Sequence, residues 1–260
     1  QVSAKAISSL VAFGMVWISL EIFHLDYRSI YMIGGGLTLI LVLVIWTIFP
    51  TFPAKHSQEK KIILRKRYWL FYALTFMGGA RRQIFIVFAS FLLVERFGFS
   101  ASTVTALYLA NHVISFWAAP LIGKLVKKWG ERRALTIEYI GLIIVFTGYA
   151  FVKDAWLISI LYVLDHLFFA LAIAQKSYLQ KIADPREISS TSSVSFSINH
   201  IAAVFLPALL GVIWINSTEA VFITGTFMAF ISLILSLYVP NDPKPGNEVR
   251  VNPFRRIAPS

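Results

Sequence analysis

The chain has 260 residues, 57% of them hydrophobic and 14% charged, with a mean hydropathy of +0.71 and a net charge of +11. Soluble domains carry about 25% charged residues, and here the apolar residues fall in nearly uncharged blocks, each long enough for a helix to cross about 30 Å of hydrocarbon, which excludes an aqueous globular fold. Cysteine is absent, which excludes disulfides, thiolate nucleophiles and cysteine metal sites, and no basic stripe interleaved with exposed aromatics points to nucleic acid as a partner.

The first residues read Gln1-Val2-Ser3-Ala4-Lys5, and an apolar block starts almost at once without an n-region or cleavage site. The expectation is a piece that lacks its natural N-terminus. Eight membrane spans are predicted in order: Ala6–Leu20, Ile30–Phe49, Trp69–Val94, Thr103–Leu125, Ala134–Val152, Trp156–Ala174, Ser190–Ile215 and Ala220–Val239. Each must be a helix, because hydrocarbon leaves backbone amides no other partner. The expected class is therefore an all-α polytopic membrane protein. Continuous blocks are unlike the alternating strands of a membrane barrel.

The second span carries Gly34, Gly35 and Gly36, read as a close-packing patch. No phosphate loop, zinc-protease helix or nucleophile elbow occurs, so no enzyme activity, cofactor or metal is expected. Residues 50-68 are basic, with Pro50 and Pro53. They read as a cytoplasmic linker between a two-span unit, residues 1-49, and a six-span bundle, residues 69-240. The tail, residues 241-260, holds four prolines and is expected to be disordered.

Charged and polar residues sit in the middle of four spans. The third span centres on Arg81 and Arg82, the fourth on Asn111 and His112, and the sixth on Asp165 and His166; the seventh carries Asn199 and His200. Ionisable groups at that depth are costly and normally face a cavity or a partner. Neighbouring helix positions lie about 100° apart, so Arg81 and Arg82 cannot face one direction. Asp165 reads as the mid-depth acid that pairs with one of them. That pair is open to two readings: an interhelical lock, or a site where arginine binds an anionic solute or the pair exchanges a proton. The histidines are either core residues bonded to carbonyls or proton-carrying groups. Ser192, Ser195 and Asn199, with Ser193, Ser197 and His200, make a polar stripe on the seventh span, followed by the bend-prone Pro207 and Gly211.

Cations alternate in density along the chain. With the first span running outward, 19 of the 24 lysines and arginines fall on the cytoplasmic side and three, Arg28, Arg96 and Lys153, on the other. The remaining two are Arg81 and Arg82. This places residues 50-68, 125-133, 175-189 and the tail in the cytoplasm, with the cell (inner) membrane as the expected location.

After the fourth span come Gly123, Leu125, Lys127, Lys128, Gly130, Glu131, Arg132 and Arg133. This loop resembles the G-x-L-x-D-R-x-G-R-R motif of the major facilitator superfamily. Lys127 stands where that family usually has an acid, and Glu131 where it usually has a cation. The stretch Gln175–Gly211, with Ile182-Ala183-Asp184-Pro185-Arg186 and then Pro207 and Gly211, is similar to the family's tenth-to-eleventh helix region. The whole layout resembles helices five to twelve of a twelve-helix transporter. The resemblance implies that residues 1-49 end the N-terminal bundle and residues 69-240 form the C-terminal one. It implies gating by the loop residues, alternating access around a midplane site, and no transport by this chain alone. The expected function is secondary active transport of a small anionic or polar solute, with proton coupling through Asp165 or a histidine left open. The expected partners are membrane lipid and a small-molecule substrate. The competing reading is a non-transporting membrane sensor or scaffold of the same fold.

Overall fold

A computed structural model describes residues 2–50 and 63–250, with side chains from residue 7 onward. Eight helical rods follow the predicted spans: α1 (Val2–Glu21), α2 (Tyr27–Ile48), α3 (Lys66–Glu95), α4 (Ala101–Trp129), α5 (Glu131–Phe151), α6 (Ala155–Ile182), α7 (Ile188–Asn216) and α8 (Thr218–Leu237). No strand occurs among the described residues. Helices α2 to α8 are long and apolar enough to cross a membrane, and α1 adds a shorter apolar stretch, Ile7–Glu21.

The helix ends have local causes. Asp26 accepts from the Ser29 amide at 3.3 Å, Ser100 from Thr103 at 3.1 Å, Asp154 from Leu157 at 2.8 Å and Ser217 from Ala220 at 3.1 Å. These side chains cap α2, α4, α6 and α8 by satisfying first-turn amides that have no helical partner. Between α4 and α5 the turn is the single residue Gly130 at φ +81, a conformation other residues adopt only at a cost.

Helix α3 is not uniform. A 3-10 turn at Lys66–Tyr68 leads into regular helix over Trp69–Gln83, a π segment over Ile84–Ala89 and a final helical turn and a half at Ser90–Glu95. The π segment starts directly after Arg81, Arg82 and Gln83, and such segments often mark functional positions. Helix α6 tightens into a 3-10 turn at Ala170–Ala172, just past Asp165 and His166.

Helix α5 is the most enclosed rod. It packs most extensively on α8 and also on α6 and α4, while α3 packs on α7 and α8. Leu135, Leu142 and Phe146 of α5 are fully buried with Leu74, Ile84, Tyr162 and Phe222. On the other side of the bundle α1 lies against α4. Helix α2 buries none of its residues, and Gly34, Gly35 and Gly36 meet nothing within 4 Å. The close-packing patch read from sequence is therefore uncovered in this chain.

The expectation of a disordered tail fails for residues 241–250. The Arg250 amide donates to the Tyr238 carbonyl at 2.8 Å, the Asn247 amide donates to Lys244 at 2.9 Å, and the Tyr178 hydroxyl donates to the Glu248 carbonyl. Val249 packs against the core. Pro243 and Pro245 fix their own backbone angles, and Gly246 at φ +86 closes the turn, so proline here stiffens a short return rather than freeing it. Residues 51–62 of the linker and 251–260 of the tail lie outside the described residues.

Candidate functional site

The mid-span pairs divide between two directions, as the turn of a helix requires. Arg81, Asn111 and Asp165 are buried inside the six-helix bundle, at 1%, 1% and 0% exposure. Their chain neighbours turn elsewhere: Arg82 is exposed, and His112 and His166 are half-buried. Asn199 and His200 on α7 are both exposed.

The buried arginine does not pair with the expected acid. Arg81 Nη2 lies 3.8 Å from Glu138 Oε1 on α5, its Nη1 donates to the Ser232 hydroxyl on α8, and its guanidinium stands 4.6 Å over the Tyr139 ring. Glu138 is only 2% exposed. Asp165 is therefore not the sole acid at depth, and the Arg–Asp lock is corrected to an Arg81–Glu138 pair joining α3, α5 and α8. The signal was present in the sequence as an acid inside the fifth apolar block. It lies one turn from the predicted end of that block, where an acid is normally read as marking the membrane surface.

Asp165 on α6 has no hydrogen-bond partner on either carboxyl oxygen. The Tyr149 hydroxyl of α5 is directed at it, and Arg81 acts on it electrostatically from α3. Both polar atoms of the Asn111 side chain are likewise buried and unpaired. Buried polar groups are nearly always satisfied, so both positions are atypical, as are Arg81 Nε and Glu138 Oε2. Beside them runs a chain of hydroxyls. Ser90 of α3 lies 3.1 Å from the Tyr108 hydroxyl of α4 and 3.3 Å from the Tyr162 hydroxyl of α6.

The two half-buried histidines meet where α1 covers the bundle. The rings of His112 and His166 are 5.6 Å apart, and Phe13 of α1 sits 4.9 Å from His112 and 5.3 Å from Tyr108. His112 Nδ1 lies 2.8 Å from the Tyr108 carbonyl, and His200 Nδ1 lies 2.8 Å from the Phe196 carbonyl. His200 is further covered by the Phe196 ring at 3.9 Å. Asn199 lies across Gly79 of α3, where an added Cβ would fall 2.6 Å from its Oδ1. Gln175 of α6 reaches the same side of α3, donating to Thr75 Oγ1 at 2.7 Å. The structure thus groups His112 with His166, and Asn199 with Gly79 and Gln175, and sets Arg81 and Asp165 behind them.

The serine stripe on α7 is largely spent within its own helix. Ser193 bonds the Ser189 carbonyl at 3.0 Å, Ser195 that of Thr191 at 2.9 Å and Ser197 that of Ser193 at 3.2 Å, the back-bonding usual for mid-helix hydroxyls. Among the described residues no group of three or more His, Asp or Glu side chains is placed to hold a metal.

At the cation-rich end, two buried or half-buried acids tie helices together. Glu131, 3% exposed, accepts from Lys181 Nζ at 2.7 Å and from the Ser177 hydroxyl at 2.7 Å, so the start of α5 is fastened to α6. Within the same loop Lys127, Lys128 and Arg133 are exposed, while Arg132 reaches Asn241 at 3.4 Å. Glu187, before α7, pairs with Arg65 at 3.2 Å and with Arg67, and accepts from the Tyr68 hydroxyl at 2.7 Å. Sequence reading noted Glu131 only as a departure from the loop motif and passed over Glu187, because nothing local shows which distant cation a loop acid will meet.

Comparison with known proteins adds a line independent of this geometry. The family model of the Major Facilitator Superfamily matches residues 6–207. An uncharacterized MFS-type transporter of Methanocaldococcus jannaschii is 26% identical over 135 residues, covering 52% of this chain and 34% of that protein. The chain thus matches about a third of the relative's length.

Proposed function

The chain belongs to the major facilitator superfamily, and from that premise we propose that the whole protein carries a small anionic or polar solute across a membrane by alternating access. It is an integral, multi-pass membrane protein. In this reading residues 1-49 end one bundle, residues 50-68 link the halves, residues 69-240 form the second bundle and residues 241-260 form a cytoplasmic tail. The cation-rich ends, including Gly123, Lys127, Lys128, Gly130, Arg132 and Arg133, face the cytoplasm of the cell (inner) membrane, with that loop as part of the gate.

The observation that carries the proposal is the division of the mid-span pairs. Arg82, Asn199 and His200 are exposed and His112 and His166 half-buried, with His112 against Phe13 of α1 and His166 beside it, while Arg81, Asn111 and Asp165 are buried within the bundle. Arg82 forms no ion pair among the described residues. A cation held at membrane depth without an acid is a binding group for an anion or a polar acceptor. Proton coupling is assigned to Asp165, whose carboxyl is fully enclosed beside the Tyr149 hydroxyl.

The test is uptake by proteoliposomes containing the whole protein, offered labelled monocarboxylates, dicarboxylates and neutral sugars. Uptake of at least one should exceed that of empty vesicles. Arg82→Ala should lower it about tenfold or more, the cost of losing one charge-assisted contact. Full uptake by a well-expressed Arg82→Ala variant removes the assigned site. No uptake of any probe, together with capture of a cytoplasmic partner in detergent, replaces the transporter by the sensor or scaffold reading.

A further inference from the structure

Helices α3 and α7 run side by side in one direction. Gly79 meets Asn199 at mid-depth, and Glu95 meets Trp214 at the cation-poor end. Toward that end the two helices leave a groove of about 500 Å³, with Val87 and Pro207 at its deep end, Gly211 midway, and Glu95 and Trp214 at the rim. Gly211 keeps the groove open, because an added Cβ there would meet nothing within 4 Å.

The groove changes character along its length. Its deep end is apolar, while its rim gathers negative charge and aromatic faces. The Trp214 indole donates to Glu95 Oε2 at 2.9 Å, and the Phe88 and Phe91 rings lie 5.4 and 6.3 Å from the Trp214 ring. Glu95 is exposed and forms no ion pair among the described residues. Arg96, the next residue, is engaged by Glu219 at 3.1 Å. Both α3 and α7 end at this rim, and helix C-termini carry partial negative charge. Neither has a basic residue in its last turn to offset it.

We propose that this groove binds a membrane phospholipid whose headgroup ends in a primary ammonium group. The ammonium donates to the Glu95 carboxylate and lies against the faces of Trp214 and Phe91. One acyl chain runs down the groove toward Val87 and Pro207. From Val87 to Glu95 the helix rises about 12 Å, most of the roughly 15 Å depth of one hydrocarbon leaflet. A chain in the groove therefore lies at hydrocarbon level while its headgroup reaches the interface, where tryptophan settles. An anionic headgroup would meet the carboxylate and two helix ends as like charges, and a quaternary ammonium has no proton to donate to Glu95. The site needs only the membrane location and owes nothing to the solute or to Arg82.

Native mass spectrometry of the whole protein, titrated with short-chain phosphatidylethanolamine or phosphatidylglycerol, counts bound lipid directly. One phosphatidylethanolamine should bind about tenfold or more tightly than phosphatidylglycerol. Glu95→Gln keeps an acceptor for Trp214 and should lower that affinity about fivefold or more. Gly211→Leu, which fills the groove, should weaken binding of both lipids. Equal affinity for the two lipids, or undiminished phosphatidylethanolamine binding by either variant, overturns the proposal. A lipid-free dimer in the wild-type spectrum also overturns it, by giving the groove to a second copy. Failure of this count leaves the transport reading standing, and absence of uptake leaves the count standing.

Discussion

At the scale of the residue, the close approach of α3 and α7 depends on Gly79. A Cβ there would fall 2.6 Å from Asn199 Oδ1 and 3.4 Å from both the Asn199 Cα and Ala202 Cβ. The amide can rotate away, but the backbone contact remains. Gly79→Ala is therefore expected to cost about 1–3 kcal/mol, the usual penalty for overpacking, seen as a lower thermal midpoint in detergent. It should also displace Asn199, so uptake should fall more than the stability loss explains; a variant as stable and active as wild type would show that Asn199 has no role. Single residues also show what the sequence could reveal about the site. A charge in an apolar block is conspicuous wherever it lies, so Arg81, Arg82 and Asp165 stood out at once. Their directions followed from the 100° turn between neighbours. Their partners did not, because pairing of Arg81 with Glu138 rather than Asp165 is decided by how α3, α5 and α8 lie against one another, at more than 50 residues' separation in sequence.

At the scale of the element, the helices were legible because length and apolarity alone require them. The predicted starts moved by only one or two residues where a cap took over, as at Asp154 before α6 and Ser217 before α8. The π segment at Ile84–Ala89 was not legible: its residues, Ile-Phe-Ile-Val-Phe-Ala, are as apolar as any regular helix. Junctions between elements carry a pH dependence. Burial raises the cost of charging Glu187, but hydrogen bonds from Tyr68 and Arg67 outweigh it and hold the carboxyl below its ordinary value of 4.5. The ionised acid thus stabilises the junction of α3 and α7 fully above pH 4.5, and that contribution is lost as pH falls below it. Glu187→Gln should lower stability by about 1 kcal/mol at neutral pH, measured by thermal melting in detergent. The difference from wild type should vanish at a pH well below 4.5, where the wild-type acid is itself protonated. A difference that persists at that pH would assign the effect to packing instead of charge.

At the scale of the whole molecule, the sidedness of charge and the capping pattern agree. The four helices with side-chain caps, α2, α4, α6 and α8, all begin at the cation-poor end, at Asp26, Ser100, Asp154 and Ser217. Of the helices that begin at the other end, α3, α5 and α7 are held by ion pairs of lysine or arginine with Glu131 and Glu187, while at the cation-poor end Arg96 pairs with Glu219 at the start of α8. Capping and charge bias therefore mark the same polarity, and the charge bias predicts that the cation-rich end stays in the cytoplasm during insertion. The absence of cysteine makes this directly testable. Lys153→Cys, exposed at the turn between α5 and α6, and Lys128→Cys, exposed at the end of α4, each introduce a single thiol. In intact cells a membrane-impermeant thiol reagent should label Lys153→Cys and leave Lys128→Cys unmodified until the cells are opened. The reverse pattern would invert the orientation.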